Sequence, residues 1–309
     1  YNSSNTLEEC LNAIFNSDYK NFEVILVSDN STDNSVEIAK RYNCKILELK
    51  ENMGPANARN LGVEASQGEL LLFIDSDVII KKDSLKFINN SFDNKDTNVV
   101  QGVYSHEPNY KSVFTQYQQS FYCHYTWNKS LDNVSTFTTS CCAIRKDIFE
   151  KSKKFNSKIK RPTAEDEEFG YDLIEKGNKI LILRNLTVEH RVNYSASKFI
   201  KRNFLLYFDS MKTFLRNKNI YKKIKQKNYA NVITGIPVMG MLIFTLIMTF
   251  FFEQKIISSI FIILNIIFLL LHLSFINFVI IEKNFKTAIK VAAICYLDTF
   301  LVLTAAVSA

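Results

Sequence analysis

The chain has 309 residues, with 38 Lys and Arg against 31 Asp and Glu and a net charge of +7, a length that suits one substantial domain or two smaller units. Its six cysteines form no C-x-x-C pair and keep no His-rich company, which argues against a zinc module or a disulfide framework and for a reducing compartment. Up to about Asn228 the composition is that of a soluble, charged α/β protein, and beyond it the chain is strongly apolar.

Thr6-Leu7-Glu8-Glu9 reads as a capping box, and Leu7, Cys10, Leu11, Ile14 and Phe15 follow at helical spacing. Residues 22–27 are rich in β-formers and end in the turn cluster Ser28-Asp29-Asn30-Ser31. A helix is expected over 34–42 and a strand over 44–49. Pro55 can open a helix running to about 66. Leu70-Leu71-Leu72-Phe73-Ile74 is a continuous apolar run that stops at Asp75-Ser76-Asp77; buried parallel strands look like this. The alternation predicts βα units on a mostly parallel sheet, with ligands beyond the carboxyl ends of the strands. Asp29 and the Asp75/Asp77 pair should then share a cleft.

Further strands are expected over 98–103, 137–144, 179–183 and 186–189, and helices over 112–130 and 164–176. An amphipathic helix over 195–216 interleaves cations with Phe199, Phe204, Leu205, Tyr207, Phe208, Met211 and Phe214, the composition of a helix lying in a membrane interface. Ten cations between Lys198 and Lys227 precede the first long apolar run, so anionic lipid rather than nucleic acid is the expected partner. Three apolar segments, about 229–252, 256–281 and 287–309, each reach the roughly 20 residues that span a bilayer. The distribution of Lys and Arg around them puts the N-terminal domain in the cytosol.

Five features carry chemistry. Asp75 and Asp77 can converge on one hard cation, Mg2+ or Mn2+, that keeps positions open for phosphate oxygens. Asp29 can accept hydrogen bonds from a nucleobase or ribose, or close an Asx-turn. Glu165-Asp166 opens an acidic helix that suits the macrodipole and offers a general base. His190 follows a strand and is either structural or part of a metal site. Arg59, on the helix between two strands, either braces Asp29 or Asp75 or meets phosphate.

The ordered set Val27-Ser28-Asp29-Asn30-Ser31-Thr32-Asp33, Asn52-Met53-Gly54-Pro55-Ala56-Asn57-Ala58-Arg59-Asn60, Asp75-Ser76-Asp77 and Glu165-Asp166 resembles glycosyltransferase family 2 with the GT-A fold, over roughly the first 190 residues. The resemblance implies an α/β nucleotide-diphospho-sugar transferase domain over 1–194, an interface helix and linker over 195–227, and a membrane domain over 228–309. It implies Asp29 on the nucleotide, with Asp75 and Arg59 on the donor side, and a divalent metal on Asp77 and Asp75, with His190 a looser match. Asp166 would be the catalytic base. Glu165 and the segment Thr139-Ser140-Cys141-Cys142 would face the acceptor, and Arg202 either contacts the leaving diphosphate or is a lipid-facing charge. Family members open with a strand ending near a Tyr-Asn pair. Here Tyr1-Asn2 come first, so a chain that lacks that strand is expected.

The implied reaction is transfer of a sugar, with inversion, from a nucleotide-sugar donor to a lipid-linked or polysaccharide acceptor at the cytosolic face of the cell membrane by a multi-pass protein. Two rivals stay open. A processive polysaccharide synthase usually carries Q-x-x-R-W after the acidic motif, whereas the single Trp here, Trp127, precedes Glu165. A non-catalytic membrane-anchored subunit that only binds nucleotide-sugar is the other.

Overall fold

The computed structural model describes residues 1–105, 110–127, 137–216, 230–248 and 254–309. The chain divides into two compact units, residues 1–108 with 126–192, and residues 109–125 with 193–309.

The first unit begins with α1 (Leu7–Phe15), β1 (Val24–Ser28), α2 (Ser35–Ala39), β2 (Cys44–Glu48) and α3 (Pro55–Glu64). The chain continues through β3 (Leu70–Ile74), β4 (Val78–Ile79), α4 (Ser84–Ser91), β5 (Val99–Tyr104) and then α5 (Val113–Trp127), which belongs chiefly to the second unit. It returns with β6 (Cys141–Arg145), α6 (Lys146–Glu150), α7 (Glu165–Glu175) and β7 (Ile180–His190). The capping box does not form: Thr6 makes no side-chain cap, while Glu8 and Glu9 pair with Arg41 and Arg191.

The sheet is mixed, which corrects the expectation of a mostly parallel one. β1 and β2 pair in parallel as a two-stranded sheet, and β5 and β7 pair in parallel. The pairs β3–β6, β5–β6 and β4–β7 are antiparallel within the order β3-β6-β5-β7-β4. The apolar run of β3 reports burial on both faces and says nothing of direction. Leu71 and Phe73 meet Val99, Phe149, Phe155 and Phe169 on one side. Leu70, Leu72 and Ile74 meet Leu85, Ile88 and Val100 on the other. The two expected strands over 179–189 are one long strand, with a register shift against β5 between Gln101 and Val103.

The second unit contains most of α5 with α8 (Ala196–Arg216), α9 (Ala230–Met248), α10 (Gln254–Leu271), α11 (Leu273–Glu282) and α12 (Phe285–Ser308). The sequence predicts three apolar spans. Among the described residues one helix, α12, is long and apolar enough to cross a bilayer. The second expected span is two helices bent by 57° at His272; of the first, the described apolar stretch is Ile236–Met248, and residues 249–252 lie outside the described residues. Residues 217–229, which hold the last five cations of the basic cluster, lie outside the described residues. The face of α8 is not left bare. Phe199 is fully buried against Phe114 and Tyr117 of α5, and Asn203 and Tyr207 bond to Asp298 of α12.

Candidate active site

β1 ends at the carboxylate of Asp29, which is 5% exposed. Its Oδ1 accepts the Met53 amide at 2.7 Å and its Oδ2 the Gly54 amide at 2.9 Å. A carboxylate has about four lone-pair sites, so each oxygen keeps one for a ligand while the pair anchors the turn before α3. Gly54 sits at φ +88 and ψ 163, a region essentially reserved for glycine. A Cβ there would lie 2.4 Å from the carbonyl oxygen of Lys160. The loop of residues 153–163 is therefore pressed onto the start of α3, and α3 grips it. Asn57 donates to the Ser157 carbonyl, and Asn60 exchanges hydrogen bonds with the backbone of Phe155. The spacing of three puts both amides on one helical face.

Arg59 leaves the same helix toward the site. Its Nη1 lies 2.7 Å from Glu165 Oε1 and its Nη2 3.2 Å from Asp75 Oδ1. One guanidinium thus ties the turn after β3 to the first turn of α7, as its rigid fork allows. The other oxygen of Glu165 accepts the Thr163 amide at 2.8 Å. Glu165 was expected on the acceptor side, and the structure commits both its oxygens to this bracing.

Asp166, next on α7, is half-buried and its Oδ1 accepts the Glu167 amide. Burial pushes its carboxyl well above the usual range, the Glu165 charge adds to the rise, and Arg59 opposes it. A raised pKa makes the carboxylate more basic, the direction that favours a general base.

Asp77 and His190 meet across the β4–β7 pairing, where Val78 lies opposite His190. Asp77 Oδ2 is 3.4 Å from His190 Nε2. Two donors at that separation can both reach one cation at about 2.1 Å. No group of three or more His, Cys, Asp or Glu side chains converges as a metal cage among the described residues. Mg2+-type sites need only one or two protein ligands when phosphates supply the rest, so the pair fits such an ion, with Asp75 beside it. Tyr104 holds the imidazole, its ring stacked at 4.8 Å and 7° from parallel. Sequence reasoning missed Tyr104, because the contact joins β5 to β7 and leaves no local pattern.

Cys141 and Cys142 are each 1% exposed and pack into the two clusters on opposite faces of the sheet. Burial pushes the Cys141 thiol up to about 12. Their side chains belong to the core, not to an open acceptor surface. Arg202 lies in the second unit. There its guanidinium donates to Asn203 Oδ1 and Tyr122 Oη and sits 5.5 Å from the Tyr194 ring centroid.

Residues 1–152 match the family model described as Glycosyl transferase family 2. The glycosyltransferase GlyG of Streptococcus pneumoniae is 36% identical over 109 residues, covering 34% of this chain and 36% of that protein. The poly(ribitol-phosphate) beta-N-acetylglucosaminyltransferase TarS of Staphylococcus aureus is 39% identical over 93 residues, covering 28% and 16% respectively. The chain thus spans about a third or less of the length of these curated relatives. Among solved structures, the mannosyltransferase PcManGT from Pyrobaculum calidifontis, in complex with GDP-Man and Mn2+, superposes with a TM-score of 0.69 at 15% identity over 96% of this chain and 84% of that one. This likeness shows a shared fold.

Proposed function

Because residues 1–152 make the chain a member of glycosyltransferase family 2, we propose that it moves a sugar from a nucleotide-sugar donor to a lipid-linked or glycan acceptor, with inversion at the anomeric carbon. One observation carries this reading. Arg59 bridges Asp75 and Glu165, the neighbour of Asp166, while Asp77, two residues on from Asp75, pairs with His190, so the candidate base and the candidate metal-binding residues adjoin. The names of relatives support the donor and acceptor classes: TarS transfers N-acetylglucosamine to poly(ribitol-phosphate), and PcManGT was solved with GDP-Man and Mn2+.

Asp166 takes the proton of the acceptor hydroxyl as that oxygen forms its bond to the anomeric carbon. The bond from that carbon to the donor phosphate oxygen breaks in the same displacement, and the nucleoside diphosphate leaves with the electron pair. Asp77, His190 and Asp75 would hold a divalent cation, which supplies neutralisation of the departing diphosphate when bound. Asp29 receives the nucleoside through its remaining lone pairs. The apolar α12 suggests transfer at a membrane surface, with the first unit on the cytosolic side.

The test is a panel of uridine- and guanosine-diphosphate sugars offered to the full chain in membranes, with Mn2+ and with EDTA. The expected result is turnover of one donor class that EDTA abolishes and Asp166→Asn removes while nucleotide binding persists. Turnover that survives both EDTA and Asp166→Asn would overturn the reading.

A further inference from the structure

The segment 151–161 carries Lys151, Lys153, Lys154, Lys158, Lys160 and Arg161 and no acidic residue, and its two halves are used differently. The first half is neutralised locally. Lys151 pairs with Asp147, Lys153 with Asp172 and Glu175, and Lys154 with Glu64. In the second half Lys158, Lys160 and Arg161 are exposed, and Lys158 and Lys160 have no acidic partner among the described residues. This excess of positive charge is fixed in place. Asn57 holds the Ser157 carbonyl, the Lys160 backbone lies against Gly54, and the Thr163 amide bonds Glu165. The backbone anchors thus reach the turn held by Asp29 and the carboxylate that braces Arg59, so the loop that carries the cations adjoins the residues of the candidate site.

We infer that the loop 157–161 is a docking site for an acceptor that is itself anionic, a glycan or lipid-linked chain carrying phosphate or carboxylate groups. The inference rests on the transferase reading and names the acceptor class for that site. Lysines on a pre-set loop give a local positive field that concentrates a polyanion and is weakened by salt. A bilayer surface is the poorer fit. Membrane-binding elements add apolar side chains that insert, and here the large apolar residues are Phe155, buried, and Ile159, half-buried. The donor diphosphate is the other source of the same chemistry, and the experiment separates the two.

Binding of fluorescein-labelled inorganic polyphosphate to the solubilised full chain is measured by anisotropy, with neutral dextran as control. The double variant Lys158→Gln/Lys160→Gln should bind polyphosphate roughly fivefold more weakly and with a shallower salt dependence, as expected when about two anion contacts are lost. The double variant Lys151→Gln/Lys154→Gln removes the same charge from the neutralised half and should bind as the unmodified chain does. Equal losses in both variants, or in neither, would overturn the inference. So would a parallel fall in uridine or guanosine diphosphate affinity, which would assign the loop to the donor, or a loss confined to phosphatidylglycerol vesicles, which would assign it to the membrane. Asp166→Asn should leave polyphosphate binding intact, so a chain that docks the polyanion but transfers no sugar fails the transferase reading alone.

Discussion

Asp166 and Arg59 set the properties of the site. Because burial first and Glu165 second raise the Asp166 pKa, the acidic limb of an activity–pH profile should lie above that of an ordinary carboxylate. Glu165→Gln removes one raising charge and should move that limb to lower pH. A shift upward, or none, would remove Asp166 from the role of base. The same raised pKa bears on stability. Between the ordinary carboxylate value and the raised one, the unfolded chain gives up its proton while the folded chain keeps it, so stability falls as pH rises through that window. Above it, Asp166 is a standing cost. Asp166→Asn should therefore be inactive yet melt higher than the unmodified chain at neutral pH without added metal, by about 2–4 °C if the relief is about 1 kcal/mol. A lower melting temperature would contradict this electrostatic account. Arg59→Lys tests the other half of the site. An ammonium cannot fork between Asp75 and Glu165 as the guanidinium does, and losing such an outer contact weakens metal binding about 10–100-fold. Mn2+ titration of the variant measures this.

At the scale of elements, α3 organises the site because its residues face three ways. Gly54, before its first turn, lets the Lys160 backbone close on it; Asn57 and Asn60 hold the loop beyond α6; Arg59 points to the acids. Gly54→Ala should cost about 1–3 kcal/mol for its backbone conformation alone, with displacement of residues 157–161 in addition. The measurement is urea unfolding together with protease cleavage in that loop, and an unchanged cleavage rate would count against the close approach. This arrangement was only partly legible in the sequence. The ends of α3, β3 and α7 could be read because proline, an apolar run and an acidic first turn are local signals. The partners of Arg59 were anticipated in part, as Asp75 was one of two carboxylates considered for it. Strand direction could not be read, since Leu70-Leu71-Leu72-Phe73-Ile74 is buried equally well in either sense. Nor could the Tyr104–His190 stack, which depends on the bulged register of β5 against β7.

At the scale of the whole molecule, residues far apart in sequence meet at Asp298, the only acid in α12. Tyr117 of α5 and Tyr207 of α8 donate to its Oδ2 at 2.8 and 2.7 Å, and Asn203 of α8 donates to its Oδ1 at 2.8 Å. An acid in an apolar helix persists where donors meet it, and this one is 5% exposed. The cluster explains why α12 reads as a simple span in sequence yet is faced on one side by α8. It also dictates an order of costs. Tyr207→Phe removes one of three donors and should cost about 1.5–3 kcal/mol, the value for a hydrogen bond to a charged group. Asp298→Leu leaves three buried donors without their acceptor, at about 1–3 kcal/mol each, and should cost the most. Replacing three polar groups together, with Tyr117→Phe, Tyr207→Phe and Asp298→Leu, removes two donors with the acceptor, while Asn203 Nδ2 keeps Gln118 Oε1, and should recover much of that loss, because matched apolar replacement can be nearly neutral. Thermal unfolding of the full chain in detergent measures all three. If Asp298→Leu alone is as stable as the unmodified chain, the cluster does not hold α5, α8 and α12 together. If the combined variant is no better than Asp298→Leu, the cost lies in packing rather than in stranded hydrogen-bond donors.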